Sequence, residues 1–376
     1  MFASRFEACA KTILSYMKKS RLAIPVAFLP WLWIIIGSIP PMSFGQSQPS
    51  LGLTFLAGQP SLSLTGTVGV VYSIQYASSL SSTTSWTDGS LLQAQSVNVL
   101  WTDPSVTIAN QRFYRAVSIA APADTNLAFI EPGTFSMGSP SDEAERFSNE
   151  SQHVVIISRG FWMKKYLVTQ GEFLAVVGSN PSFFTSANGY PDDPTLPVEQ
   201  VSWSDATNYC RLLTQKELAA GRIPTNCVYR LPTESEWEYA DRAGTTSAFY
   251  LGSTLQSGQA NFDGRLEYDA ALGTIPNPSG IDYGTTTPVG TYDASPCGLY
   301  DMIGNLWEWC QDWYGLYPSG NVTDPEGPVA GSYRVLRGGN WNNSATYARS
   351  AYRNVATQGF KYSNIGFRVV LAQSQP

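Results

Sequence analysis

Histidine is almost absent from this sequence: the 376 residues contain one, His153. Zinc sites with two or three His ligands and three-histidine iron sites are thereby excluded. A Ser-His-Asp triad would have to use His153, and no Gly-x-Ser-x-Gly elbow accompanies it. Gln152-His153-Val154-Val155 reads instead as the start of a strand. Charge is also scarce. Charged residues are 14% of the chain, against roughly 25% in an average soluble protein. The 23 basic residues are outnumbered by 29 acidic ones, a net −6, so no nucleic-acid partner is expected, because phosphate binding needs the opposite balance. The five cysteines include no Cys-x-x-Cys metal pair, and none follows Cys310. Long helical repeats are missing as well; 32 Gly and 24 Pro point to a loop-rich chain. What is plentiful is aromatic side chain, at 13%, in a chain long enough for two or three folding units.

The N-terminus reads as an export signal. Residues 22–39 are almost wholly apolar, Lys18, Lys19 and Arg21 precede them, and Ser43 and Gly45 place small residues before a cut ahead of Gln46. Met17 gives an ordinary signal if translation starts there. The rival is a retained anchor, since this run nearly spans a bilayer, although Pro25, Pro30, Pro40 and Pro41 oppose it. The expected location is outside the cytoplasm (periplasm, cell surface or secreted), and membrane contact is expected only through an uncleaved signal. Removing residues 1–45 leaves 18 basic and 28 acidic groups and four cysteines, Cys210, Cys227, Cys297 and Cys310. An oxidising compartment permits two disulfides among three pairings; burial as free thiols is the alternative.

Two modules are expected after the signal. In residues 46–122, Val68, Val70, Tyr72, Ile74 and Tyr76 alternate with small or polar residues, the period of a half-buried strand. Leu62/Leu64, Val97/Val99 and Phe113/Val117/Ile119 suggest further strands, with Asp88-Gly89 as turn material. The reading is a small all-β sandwich, then a linker at 123–126. From Leu127 to residue 376, short helices carry their caps in the sequence. Thr169-Gln-Gly-Glu172 and Thr233-Glu-Ser-Glu236 are capping boxes, and a third helix is expected over Ser204–Ala220. Residues 245–300 show little periodicity and need another source of order, such as ions or aromatic anchors.

Seven motifs stand in order over residues 127–372. They are Pro132-Gly-Thr-Phe-Ser-Met-Gly138, Tyr166-Leu-Val-Thr-Gln170, Pro197-Val-Glu-Gln-Val-Ser-Trp203 and Arg230-Leu-Pro-Thr-Glu-Ser-Glu-Trp-Glu-Tyr239, then Gly298-Leu-Tyr-Asp-Met-Ile-Gly-Asn-Leu-Trp-Glu-Trp309, Arg337-Gly-Gly-Asn-Trp341 and Gly366-Phe-Arg368. In these the chain resembles the formylglycine-generating enzyme family, the sulfatase-modifying factor domain. The resemblance implies an α+β, C-type-lectin-like fold with little regular secondary structure. It also implies structural Ca²⁺. Asp301, Gly304, Leu306 and Glu308 match one family site, with Gly304 and Leu306 giving backbone oxygens. Asn261 and the Phe262 carbonyl match a second, whose later half falls near Asp282 and Tyr283. Spacing alone favours ion pairing or capping by Asp301 and Glu308; mixed carboxylate and carbonyl oxygens are what calcium takes.

The family's oxidase binds Cu(I) through two cysteines just after Arg-Gly-Gly and converts a substrate cysteine to formylglycine. Here those positions are Asn343 and Ala348, and the usual serine is Asn340. Neither Asn nor Ala offers the soft thiolate that Cu(I) requires, so no catalytic residues are assigned and copper is not expected. The same stretch concentrates Asn340, Trp341, Asn342, Asn343, Tyr347, Arg349, Tyr352 and Arg353. Asn and Tyr give adaptable hydrogen bonds and large contact area, so these are the candidate binding residues for a protein, peptide or glycan ligand. The bland alternative has half of them serving the fold, with Arg349 or Arg353 paired to a core carboxylate. The expectation is an exported, calcium-stabilised binding module without oxidase activity. Two others stand beside it: an oxidoreductase using Cys297 or Cys310, and a diversified recognition protein with a variable face over 340–364.

Overall fold

The computed structural model describes residues 36–37, 49–56, 59–81, 84–96, 98–105 and 112–374. Met17, the basic residues before the apolar run and the cut ahead of Gln46 lie outside the described residues. The chain forms two compact units, dividing between Ala120 and Ala121.

The first unit is all β. Strands β1 (Ile36–Gly37), β7 (Phe113–Ser118), β4 (Val71–Ala77) and β5 (Thr87–Gln93) make one sheet in that order. Strands β2 (Ser50–Leu56), β3 (Gln59–Thr65) and β6 (Val99–Thr102) make a second. Leu51, Leu62, Leu64 and Trp101 from one sheet share a core with Tyr72, Ile74, Leu92 and Tyr114 from the other, which is the expected sandwich. Two details differ from the sequence reading. Val68 is exposed, because the chain turns at Gly69 (φ 83°) and the strand begins only at Val71. Asp88-Gly89 is not a turn but part of β5, where the Asp88 carboxylate accepts from Ser73 Oγ and Gln75 Nε2, both at 2.8 Å.

The second unit is α+β. Strands β8 (Leu127–Ile130) and β11 (Phe161–Lys164) join β21 (Val370–Gln373) and β12 (Cys227–Arg230) in the order β12-β21-β11-β8. The C-terminal strand thus sits mid-sheet, between segments far apart in sequence. Strands β9 (Gly133–Met137), β10 (His153–Ile157) and β17 (Val322–Thr323) form a second sheet, with His153 opening its strand as expected. A third has the order β19-β18-β16-β20: β19 (Asn354–Ala356), β18 (Arg334–Arg337), β16 (Trp307–Trp313) and β20 (Ile365–Gly366). Residues 245–300 gain their order from a small sheet, β13 (Thr254–Leu255), β14 (Leu266–Asp269) and β15 (Gly273–Pro276), and from a core of Phe249, Phe262 and Tyr268. The residues expected as a linker are bonded into this unit: Ala123 N–H donates to the Arg222 carbonyl and Asp124 pairs with Lys164 at 2.9 Å.

Three helices complete the unit: α1 (Gln170–Val177), α2 (Trp203–Ala219) and α3 (Glu234–Arg242). Both capping boxes read in the sequence are formed, at Thr169/Glu172 and Thr233/Glu236. The longest helix starts one residue earlier than read, because Ser202 and Asp205 make a third box. Helix α3 is turned inward along most of its length, acids included. Glu234, Glu238 and Asp241 are all buried beside Trp237, and charge on Glu234 and Glu238 is permitted there only because cations meet them.

Candidate functional site

Those cations come from β18 and the segment after it. Arg337, wholly buried, pairs with Glu238 and donates to the carbonyls of Ser350 (2.7 Å) and Tyr352 (2.8 Å). Burial opposes its charge, but Glu238, Tyr317 and Glu234 together more than offset this and the Arg337 pKa is raised. Burial likewise opposes ionisation of Glu238, and Arg242 and Arg337 reverse it, so its pKa falls. Arg349 bonds Glu150 through both nitrogens at 2.9 Å and Glu143 at 2.5 Å. Arg353 grips Glu234 at 2.6 and 2.7 Å, below the Tyr317 ring. Residues 340–353 are therefore tied down from beneath at three guanidinium groups.

Of the eight candidate binding residues, the structure takes three for the core. Arg349 and Arg353 are spent on buried carboxylates, the structural duty that was the alternative for them. Asn340 is buried, with Nδ2 donating to Asn343 Oδ1 (2.7 Å) and Oδ1 accepting from Asn342 N–H (2.8 Å). These contacts hold the turn after Gly338 (φ 93°) and Gly339 (φ 77°), where left-handed backbone favours glycine. Trp341, Asn343, Tyr347 and Tyr352 are half-buried and Asn342 is exposed. Tyr352 meets Tyr347, Phe147 and Trp307 at ring distances of 5.0, 5.2 and 5.8 Å, and burial pushes its hydroxyl up to about 12.

The two positions that correspond to the family thiols have other occupations. The Asn343 carbonyl accepts from Asp263 N–H at 2.9 Å. Ala348 is buried with Phe249, Phe262 and Ala345, and a Cβ on Gly339 would stand 2.8 Å from its own Cβ. None of Cys210, Cys227, Cys297 and Cys310 is joined in a disulfide. Cys310 lies in the core around Trp237, and Cys297 packs on the margin of that core. Burial pushes the thiols of Cys210, Cys297 and Cys310 up, which keeps them protonated, whereas metal binding needs thiolate.

The calcium residues divide. Asp301 (φ 56°), Gly304 (φ 76°) and Asn305 (φ 64°) line a turn with left-handed backbone. Asp301 Oδ2 accepts from Gly290 N–H at 2.8 Å, while its buried Oδ1 has no partner. Burial raises the Asp301 carboxyl to about 6. The buried Asn261 Oδ1 is likewise unpartnered, and Gly304 bridges to Asn261 through backbone. Each of these oxygens is of the kind a hard cation takes. Glu308 is already engaged: Arg368 holds both its oxygens at 2.6 and 2.7 Å, and Trp237 Nε1 adds a bond at 3.0 Å. This is the ion pair that spacing alone had favoured for Glu308. Leu306 and Phe262 side chains are core. Asp282 pairs with exposed Arg265 at 2.6 Å, and Tyr283 is exposed, so that half is not gathered with Asn261 into a donor set. Among the described residues no group of three or more His, Cys, Asp or Glu side chains could hold a metal.

Sequence reading missed the carboxylates that partner Arg349 and the rings beside Trp341. Glu143 and Glu150 are about 200 positions away, and nothing local marks them. Phe183, Tyr190, Phe360 and Tyr362 did carry a signal, as rings set in otherwise polar loops. No helix among the described residues is long and apolar enough to cross a membrane.

Residues 117–373 match the sulfatase-modifying factor enzyme 1-like domain model. A formylglycine-generating enzyme of Streptomyces coelicolor is 38% identical over 183 residues, 46% of this chain and 52% of that protein. The serine/threonine-protein kinase pkn1 of Chlamydia caviae is 31% identical over 273 residues, 66% of this chain and 38% of the kinase. The chain thus spans about half the length of the first relative, and less of the second. Among solved structures, Treponema denticola variable protein 1 superposes with TM-score 0.53 at 28% identity, over 66% of this chain and 95% of that one.

Proposed function

We propose that this chain, which belongs to the sulfatase-modifying factor family, is an exported binding protein that has kept the family fold and lacks formylglycine-generating oxidase activity. One observation carries the reading: Asn343 and Ala348 stand where the family's copper-holding thiolates stand, and no cysteine follows Cys310. Neither side chain grips Cu(I). Segment 340–353 is meanwhile anchored at Arg337, Arg349 and Arg353, so its outward residues Trp341, Asn342, Tyr347 and Tyr352 are presented on a rigid base. The basic, apolar and small-residue succession before Gln46 supports export. The decisive experiment incubates the copper-loaded chain with a Cys-containing sulfatase peptide. Mass spectrometry should show no formylglycine, and its appearance would overturn the reading. Product that disappears in Cys297→Ser or Cys310→Ser would establish the rival oxidoreductase.

Calcium belongs to the proposal in a reduced form. Asp301 supplies a buried oxygen without a partner, and with the Gly304 and Leu306 carbonyls it makes up what remains of the first site the resemblance implies, a donor set of the type calcium takes; the unpartnered Asn261 Oδ1 belongs to the second. Bound at the first, the ion would neutralise Asp301 and fix the 301–306 turn under the Gly338-Gly339 corner. Glu308 stays with Arg368.

A second reading is favoured by the likeness to a Treponema variable protein: residues 340–364 form a diversified face. If so, variation among copies spares Asn340, Arg349 and Arg353 and falls on Trp341, Asn342, Tyr347, Phe360 and Tyr362. Sequencing the locus for a nearby template repeat decides it.

A further inference from the structure

Two groups of rings border Trp341. Phe183, Phe184 and Tyr190 contact one another with centroids 4.9–5.8 Å apart, and Phe184 meets Trp341 edge-on at 5.8 Å. On the loop that holds Ser363, Phe360 and Tyr362 lie nearly parallel at 6.3 Å. Backbone ties the groups together. Trp341 Nε1 donates to the Ser363 carbonyl at 3.1 Å, and Gln200 N–H donates to the Tyr362 carbonyl at 3.1 Å. Glu199, next to Gln200, accepts from Phe184 N–H at 3.0 Å. Phe183, Phe360 and Tyr362 remain 39%, 46% and 52% exposed. Scattered exposed rings need no account, but rings gathered on adjoining loops mark a surface that something else covers.

The polar groups among these rings are amides rather than ions. Asn364 Nδ2 donates to Asn342 Oδ1 at 3.3 Å, which leaves an amide donor on Asn342 and an amide acceptor on Asn364 without protein partners. Lys361, between the two stacked rings in sequence, is taken by Asp205 at 2.7 Å. The lysine beside the stack thus already has an acidic partner.

We propose that this face binds a neutral oligosaccharide. Phe360, Tyr362 and Trp341 stack on the sugar rings, and Asn342 and Asn364 bond their hydroxyls. A π face is negative at its centre, and the C–H face of a pyranose is apolar and weakly positive, so stacking removes both from water. Sugar hydroxyls donate and accept at once, which primary amides match with both kinds of group. Rings spread over three loops suit several sugar units rather than one. The proposal rests on the binding-protein reading above and gives it a ligand class.

The test is titration calorimetry on the full chain. The probes are neutral gluco-, xylo-, manno- and N-acetylglucosamine oligosaccharides of four to eight units, with uronic-acid oligosaccharides and proline-rich peptides as controls. At least one neutral oligosaccharide should bind, with affinity falling about tenfold or more in Phe360→Ala and in Tyr362→Ala at unchanged thermal midpoint. No binding by any neutral probe, or binding indifferent to both substitutions, overturns the proposal. A peptide bound at this face, lost in the same variants, overturns the ligand class while the binding-protein reading survives. Formylglycine formation removes that reading instead.

Discussion

Arg349 and Trp341 belong to one short segment and obey different rules. Arg349 is wholly buried between Glu143 and Glu150; Trp341 is half-buried at the edge of a ring cluster and bonds only to backbone through its indole. The inward side of residues 340–353 is a set of paired charges with fixed partners. The outward side is rings and amides with few. A fold built this way can carry non-thiol side chains at Asn343 and Ala348 without loosening, because the ion pairs that hold the segment are made by other residues. In the proposed reading the inward side sets stability and the outward side recognition, and each variant below tests one of them.

The largest effect is expected from breaking a buried pair. Arg337→Met strands Glu238 against Arg242 alone and frees the carbonyls of Ser350 and Tyr352. Arg349→Met leaves Glu143 and Glu150 facing each other. Removing one partner of such a pair costs about 3–5 kcal/mol, so urea midpoints should drop sharply for both. Equal stability in Arg349→Met and Trp341→Ala would erase the contrast between the two sides.

Calcium is expected to act next, through Asp301. A ligand at 100 times its dissociation constant stabilises by about 2.7 kcal/mol. Millimolar calcium should raise the thermal midpoint of the native chain at pH 7.5 and leave Asp301→Asn unmoved. The effect should fade below about pH 6, where the Asp301 carboxyl takes up its proton. A rise that persists in Asp301→Asn would place the ion elsewhere.

Much of the second unit was legible because its signals are local. Thr169, Thr233 and their glutamates lie three residues apart, and a capping box is complete within that span. The motif resemblance supplied the fold class that periodicity does not, but not the strand order: β21 sits between β11 and β12 through pairings of about 140 to 210 residues, which nothing local marks. What stayed hidden depends on tertiary partners. Residues 266–276 look aperiodic because their strands are four residues long and rely on Glu145, whose carboxylate accepts from Thr274 N–H and from the Thr274 and Thr346 hydroxyls. Asp88 reads as a turn residue because its sequence neighbour is glycine; Ser73 and Gln75 on the facing strand make it a strand residue. At the candidate site, Arg349 and Arg353 were visible as residues but their side of the segment was not, because that is set by Glu143, Glu150 and Glu234.

A smaller, oppositely signed effect is expected at Glu199 and Asp241. Burial raises both carboxyls to about 7, and Glu199 Oε2 and Asp241 Oδ1 have no partner. Between the ordinary carboxylate range and pH 7 the folded chain holds protons that the unfolded chain has released. Stability from these groups is therefore full in acid and declines as pH rises to about 7. Depressed acids such as Glu238 act the other way, adding stability that is lost as pH falls through their folded pKa. Glu199→Gln should gain thermal midpoint relative to the native chain as pH goes from 5 to 8, and a constant difference across that range would refute the assignment.

The smallest effect on stability, and the sharpest test of the outward side, is expected at Phe360. Its ring is 46% exposed and, among the described rings, stacks on Tyr362, so less buried area is lost with it than with a core ring. Exposed substitutions of this kind stay within about 0.5 kcal/mol. Phe360→Ala should therefore match the native chain in urea unfolding while losing ligand. If Phe360→Ala unfolds as early as Arg349→Met, the ring is core, the two sides of the segment are one, and the outward face has no separate existence to be read.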